Sequence, residues 1–313
     1  MSKQKLKIPT WLWLALVPVF ILLAIWVSSP AGQNLLGRLE KICGLSDFQD
    51  VAQDWPFSFH VISVGKADAL LVLADEEAIL IDGGTTGSGE DVADYLRRAG
   101  VQQLSAVINT HADEDHYGGL SAVIERFPCE QFCISAYSNG DDPAYLALLE
   151  EVELKDIPLQ TWQAGDTYLF GNLRIEVLSP SKLYKETNDQ SLVLRLVYGE
   201  RSFLLTGDAQ EDAETDLLES GQTLSADILK VGHHGSRTST TQAFLGQVSP
   251  SCAVFSTGED RNHLPNSDVL QRLGEAGIPI LRTDLDGTLI FCTDGDRLQA
   301  FAETTRSCVF EIQ

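Results

Sequence analysis

The stretch Thr110-His111-Ala112-Asp113-Glu114-Asp115-His116-Tyr117-Gly118-Gly119 constrains the fold of this chain more than any other part of it. It follows directly on an apolar run, Leu104–Asn109, that reads as a strand. Four potential metal ligands, His111, Asp113, Asp115 and His116, fall within six residues. On a turn at a strand's exit, alternate side chains can converge. Neutral imidazoles and carboxylates are donors that suit Zn²⁺, Mn²⁺ or Fe²⁺. The paired glycines let the backbone pass close to a neighbour and begin a helix. Other strand ends repeat the pattern. Ser202–Thr206 runs into Gly207-Asp208, Ile228–Val231 into Gly232-His233-His234-Gly235-Ser236, and Asp82 stands before Gly83-Gly84. Singly, each reads as a turn. Together, with five of the six histidines gathered in three short motifs, they point to one assembled site.

The rest of the pattern is short apolar strands alternating with helical stretches. In the first half, strands are expected at Phe59–Val64, Ala69–Leu73, Ala78–Ile81, Leu104–Asn109 and Glu130–Ser135. Helices are expected over Glu90–Ala99, Gly119–Arg126 and from Asp142-Pro143 onward, where Pro takes the first helical position. In the second half, strands are expected at Leu173–Leu178, Ser191–Tyr198, Ser202–Thr206, Ile228–Val231, Ala253–Ser256, Pro279–Arg282 and Gly287–Cys292. The helices there are Gln210–Glu219, Thr241–Val248 and Ser267–Ala276. Strand runs opening each half, with helices later, predict two sheets packed face to face and helices outside.

The N-terminus reads differently. Lys3, Lys5 and Lys7 precede an uncharged apolar run from Trp11 to Val27, at the short end of the ~17–25 residues that cross a bilayer. Trp11, Trp13 and Trp26 mark its ends, and the leading lysines place the remainder of the chain outside the cytoplasm. The expected organisation is a signal anchor over 1–29, a juxtamembrane linker over 30–54 and a globular domain over 55–313. A cleaved signal peptide is the alternative, but Val27-Ser28-Ser29-Pro30 is a poor cleavage site. Net charge is −23, from 22 basic and 45 acidic residues, so no broad basic surface offers itself to a polyanion. Lys182, Lys185, Lys230 and Arg237 lie near the motifs and are expected to form a local basic rim. The six cysteines lack zinc-knuckle spacing. Cys252 and Cys292, in apolar strands, read as buried free thiols, while an exported domain leaves a disulfide open.

On these motifs the chain resembles the metallo-β-lactamase superfamily, and within it the branch typified by the hydrolase domain of ComEC competence proteins. The resemblance covers about residues 57–300. It rests on Val64-Gly65-Lys66-Ala67-Asp68-Ala69, Leu80-Ile81-Asp82-Gly83-Gly84, the H-x-D-x-D-H-x-G-G stretch, Asn188-Asp189-Gln190-Ser191-Leu192-Val193, Leu205-Thr206-Gly207-Asp208 and Leu229-Lys230-Val231-Gly232-His233-His234-Gly235-Ser236. It implies a four-layer αββα sandwich in the α/β class with two divalent metal ions, zinc or manganese, at one edge. By the same resemblance His111 and Asp113 hold the first ion and Asp115 and His116 the second. Asp208 bridges them, and His233 completes the second site. His234 is then a catalytic neighbour beside Asp115 and Asp208, and Asp82 a supporting hydrogen-bond acceptor. Asn188, Ser236 and His263 are further supporting or substrate-contacting residues.

Four departures from the family pattern bear on this. Asp113 replaces the second histidine of the commoner H-x-H-x-D-H motif, and Asn188 stands near the place of a missing ligand histidine. Both favour harder, oxygen-rich coordination and make manganese plausible. The histidine of Asn262-His263-Leu264-Pro265-Asn266 comes one place early, and Lys66 stands where the branch has Gln. The implied activity is hydrolysis of a phosphodiester or nucleic acid by a metal-activated hydroxide, with the membrane as partner through the N-terminal helix and no stable protein partner. A phosphorylcholine-type or other small-ester hydrolase is the alternative, as is a non-catalytic binding domain on the same fold.

Overall fold

The parity of each strand decides the layers. In β1 (Phe57–Val61), Phe57, Phe59 and Val61 face one core, while Ser58 and His60 turn to the opposite face. The computed structural model describes residues 47–138, 141–259 and 263–312. The apolar run 11–27, read as a membrane anchor, lies outside the described residues. Among the described residues no helix is long and apolar enough to cross a membrane. The chain divides into residues 1–50 and 51–313, and both sheets belong to the second unit.

The first sheet adds to β1 the strands β2 (Ala69–Ala74), β3 (Glu77–Gly83), β4 (Ala106–Asn109), β5 (Phe132–Ser135) and β6 (Leu159–Trp162). The second holds β7 (Thr167–Phe170), β8 (Leu173–Ser179), β9 (Val193–Tyr198), β10 (Arg201–Leu205), β11 (Ile228–Lys230), β12 (Cys252–Phe255) and β13 (Ile280–Arg282). The chain then returns to the first sheet with β14 (Leu289–Thr293), β15 (Leu298–Ala302) and β16 (Ser307–Ile312). Their spatial orders are β16-β15-β14-β1-β2-β3-β4-β5-β6 and β13-β12-β11-β10-β9-β8-β7. Both sheets are mixed: β3 through β6 and β10 through β13 run parallel, and the remaining neighbours antiparallel.

Between the sheets, Phe57, Phe59, Phe203 and Phe291 interlock with ring centroids 5.1–6.4 Å apart. Each buried ring contributes roughly 1.5–3 kcal/mol. Helices α1 (Gly89–Arg98), α2 (Glu114–Tyr117), α3 (Leu120–Arg126) and α4 (Pro143–Leu154) follow the parallel strands of the first sheet. Their apolar sides and the outer residues of that sheet form a second core. Helices α5 (Glu211–Glu219), α6 (Gln242–Val248) and α7 (Ser267–Glu275) cover the second sheet in a third core. The result is the expected αββα sandwich. The Asp142-Pro143 signal holds too: Asp142 caps α4 by accepting from the Ala144 N–H.

Four strands went unforeseen. β6 and β7 are largely exposed, and their residues lack a clean apolar alternation. β16 is an exposed edge, and β15 packs only Leu298, Ala300 and Ala302 inward. Cys252 and Cys292 are buried free thiols. His60, the histidine outside the motifs, bonds Ser58 Oγ and Tyr95 Oη at 2.8 Å each, and burial lowers its pKa to about 3.

The loop bearing His233 and His234 is tied to the layer behind it. Buried Glu214 on α5 accepts from the N–H groups of Thr240 and Thr241, the latter at 2.8 Å. Ser239 Oγ donates to the Gly232 carbonyl at 2.7 Å. Burial pushes the Glu214 carboxyl up to about 7, against the pull of both amides and Arg272. A carboxyl raised in the folded state stabilises the fold most fully below its unfolded pKa of about 4.5 and loses that contribution as pH rises through 7. Unfolding free energies measured in urea should therefore fall by about 3 kcal/mol across this window through this group alone. Glu214→Gln should flatten that part of the curve; an unaltered slope would show that Glu214 titrates normally.

Candidate metal centre

Asp82 closes β3 in a left-handed conformation (φ 58°) and is fully buried. Its carboxylate accepts from Thr110 N–H at 2.8 Å, Thr110 Oγ at 2.7 Å, Asn109 Nδ2 at 3.1 Å and His116 Nδ1 at 2.8 Å. One side chain thus pins the start of the 110–119 loop and turns His116 so that Nε2 faces Asp208 Oδ1, 3.2 Å away. The Thr110 hydroxyl spends its proton on Asp82, so it accepts from His111 Nδ1 at 3.1 Å. That leaves His111 Nε2 as an acceptor. The His111 and His116 rings lie 4.2 Å apart. Gly119 passes so close to the Gly83 carbonyl that a Cβ there would collide with it, which explains the glycine the motif carries.

The second sheet supplies the rest. Asp208, at the exit of β10, is held by its N–H to Ser191 Oγ at 3.0 Å. Its Oδ1 lies 3.8 Å from His234 Nε2, and its Oδ2 lies 3.8 Å from His233 Nε2. His233 and His234 both adopt left-handed backbone, with φ of 48° and 51°. Such conformations cost about 1–3 kcal/mol each in non-glycine residues and cluster at functional sites. The turn splits the pair. His234 is buried, its Nδ1 donates to the Ser256 carbonyl at 2.9 Å, and Nε2 comes within 3.5 Å of Asp115 Oδ2. His233 stays partly exposed beside Asn188 Nδ2, which lies 3.2 and 3.4 Å from its ring nitrogens.

Two lysines reach the cluster. Lys66 Nζ is 2.5 Å from Asp115 Oδ2. Lys230 Nζ is 3.0 Å from Asp68 Oδ2, both side chains being sealed from solvent. Asp68 Oδ1 in turn lies 3.7 Å from His234 Nδ1.

Four buried atoms aimed at the centre, His111 Nε2, His116 Nε2, His234 Nε2 and Asp208 Oδ1, make no hydrogen bond. Buried polar groups left this way are costly. Among the described residues three sets have their donor atoms mutually within 4.8 Å: His111 with His116 and Asp208, Asp115 with His116 and His234, and, behind His116, Asp68 with Asp82 and His116. Burial would raise the Asp208 carboxyl, but the imidazoles of His116 and His234 outweigh it and hold it well below the usual range. Asp115 shifts down likewise, burial being outweighed by His234, His116 and Lys66. His116 goes up, because Asp208 and Asp82 overcome its burial. The His233 imidazole goes down, mainly through burial. Ionised carboxylates and convergent imidazoles are what a divalent cation requires, so the residues fit a metal.

Of the expected site residues, the structure brings together His111, Asp115, His116, Asp208 and Asp82. It places His234, where His233 was expected, beside Asp115 and His116. Asp113 Oδ2 lies 3.7 Å from His111 Nε2 with its side chain 38% exposed, outside all three tight sets. Ser236 Oγ bonds Thr238 Oγ at 2.9 Å, and His263 is exposed without a bond to the site. The expected basic rim loses Lys230. That side chain shares parity with Ile228, which points between the sheets, and it ends buried on Asp68. Sequence reasoning missed Asp68 as a partner, although it stands within the 64–69 motif. An acidic cleft of about 450 Å³, lined by Asp113, Glu114, Asp115, Asp141, Asp142 and Thr187, adjoins the centre.

Comparison with known proteins gives the family. The family model of the Metallo-beta-lactamase superfamily matches residues 62–259, and the chain belongs to that superfamily. It is 32% identical over 249 residues to ComE operon protein 3 of Bacillus subtilis, covering 73% of this chain and 32% of that protein. It is 34% identical over 236 residues to competence protein ComA of Neisseria gonorrhoeae, covering 74% of this chain and 31% of that one. The chain thus spans about a third of the length of these curated relatives. Among solved structures, CmlA, a diiron beta-hydroxylase from Streptomyces venezuelae, aligns with a TM-score of 0.53 at 11% identity, over 76% of this chain and 54% of that one, a likeness of fold alone.

Proposed function

We propose that this chain is a metal-dependent phosphodiesterase, acting on a nucleic acid or a smaller phosphodiester, held at the outer face of a membrane by its N-terminal segment. The observation that carries the reading is the convergence of four buried, unbonded ligand atoms from both sheets on one centre. Competence is named in one relative, 34% identical over 236 residues, which favours nucleic acid over other esters.

In this reading His111 and Asp113 would hold one divalent ion, zinc or manganese, Asp115, His116 and His234 would hold the other, and Asp208 would serve both. Its Oδ1 faces His116 and His234, and its Oδ2 faces His233. Such ions would supply an activated water and neutralise charge developing on the attacked centre. Asp82 fixes His116 as an Nε2 ligand by accepting a hydrogen bond from its Nδ1–H. The Ser256 carbonyl does the same for His234. His233, beside Asn188 at the open side, takes a substrate-contacting role. The acidic cleft favours, as a second reading, a small substrate that carries a cation next to its phosphodiester, such as a phosphorylcholine ester.

The test is an assay of the full chain, loaded with Mn²⁺ or Zn²⁺, on single-stranded DNA, bis-p-nitrophenyl phosphate and p-nitrophenyl phosphorylcholine. Turnover of at least one, lost in Asp208→Ala and Asp113→Ala, is expected. Full activity in both variants, or fewer than about one ion bound per wild-type chain, would sink the proposal.

A further inference from the structure

We propose that Lys66 is the anion-binding residue of this centre, its ammonium receiving a charged phosphoryl oxygen of the substrate once a cation has engaged Asp115; the inference rests on the metal-dependent reading above. Lys66 occupies the loop between β1 and β2, and that loop is fixed from several sides. Asp68 N–H donates to the Asp115 carbonyl at 3.1 Å, and Gly84 N–H to the Asp68 carbonyl at 2.7 Å. Gly258 lies against Gly65 with no room for a Cβ. The lysine is therefore presented to the centre by a held backbone, which lowers the entropy lost in ordering it.

Its position differs from that of the other lysine nearby. Lys230 is sealed beneath the site on Asp68. The Lys66 side chain remains 24% exposed while reaching Asp115 Oδ2. That same oxygen faces His234 Nε2 at 3.5 Å, and Asp115 belongs to the ligand set with His116 and His234. One carboxylate oxygen cannot serve an ammonium and a dication at full strength. A cation drawing on Asp115 weakens that ion pair, so the ammonium can engage a second anion at the solvent-facing side. The need for such a group is plain, because the adjoining cleft is lined by carboxylates that repel a phosphoryl substrate. The competing account is that Lys66 merely balances Asp115 before metal arrives.

The deciding experiment titrates inorganic phosphate into the full chain loaded with Mn²⁺, by calorimetry, with bound metal measured in parallel. Lys66→Gln should weaken phosphate binding roughly 10- to 100-fold at unaltered metal stoichiometry, the scale of a lost charge-assisted hydrogen bond. Lys66→Arg, which keeps the charge, should stay within about threefold of wild type. The ratio of kcat/KM for bis-p-nitrophenyl phosphate to that for p-nitrophenyl acetate should fall about tenfold or more in Lys66→Gln, because only the first substrate is anionic. Phosphate affinity in Lys66→Gln within about twofold of wild type overturns the inference. So does a loss of phosphate binding matched by a loss of metal, which marks Lys66 as a counter-charge only. If the wild type binds phosphate through Lys66 yet turns over no ester, the anion site stands and the hydrolase reading falls.

Discussion

Replacing His234 with alanine should cost on the order of 10³-fold in kcat and about one bound metal ion per chain, whereas His233→Ala should keep its metal and lose about tenfold or less. The asymmetry follows from geometry. His234 Nε2 is buried, unbonded and within 3.5 Å of Asp115 Oδ2, while Nδ1 is fixed by the Ser256 carbonyl. A neutral imidazole held in one tautomer is ready to coordinate. His233 turns its ring to Asn188 and the open side, and burial lowers its pKa. Removing a ligand forfeits several kcal/mol of charge stabilisation. Removing a substrate contact forfeits about one hydrogen bond. Metal analysis and steady-state kinetics on the two variants settle it. If His233→Ala is the variant that sheds metal, the assignment reverts to the one the family motif implies.

The second large effect is on stability. Lys230→Met should lower the unfolding free energy by roughly 3–5 kcal/mol, because it leaves the Asp68 carboxylate buried without its main counter-charge. Burial pushes the Asp68 carboxyl up, yet Lys230, His234 and His116 together hold it below its usual range, so it is charged in the folded state. Among the described residues the ammonium donates otherwise to the Val231 carbonyl, at 3.1 Å. Thermal melts should show a drop on the order of 10 °C. The double variant Asp68→Asn/Lys230→Met should recover most of it, since no ion is then stranded. A single variant that melts with the wild type would mean that Asp68 takes up a proton or reaches water instead.

The strand-end motifs, the two-sheet sandwich and most of the side chains that gather at the proposed centre were legible in the order of residues. The reason is local: strand parity and turn chemistry act over a few neighbours, and His111, Asp115 and His116 share one turn. The edge strands β6, β7 and β16 were not, because edges bury too little to impose a pattern. The choice between two adjacent histidines belonged to the tertiary structure. Left-handed backbone at His233 and His234 is imposed by packing: Gly235 sits tight against Phe255, and Glu214 ties the loop from behind. Likewise Lys230 met Asp68, far away along the chain, only when the two sheets closed and left that charge no path to water. Sequence determined which groups could bind a cation; the closure of the sheets decided which of them face it, since that depends on directions no spacing records.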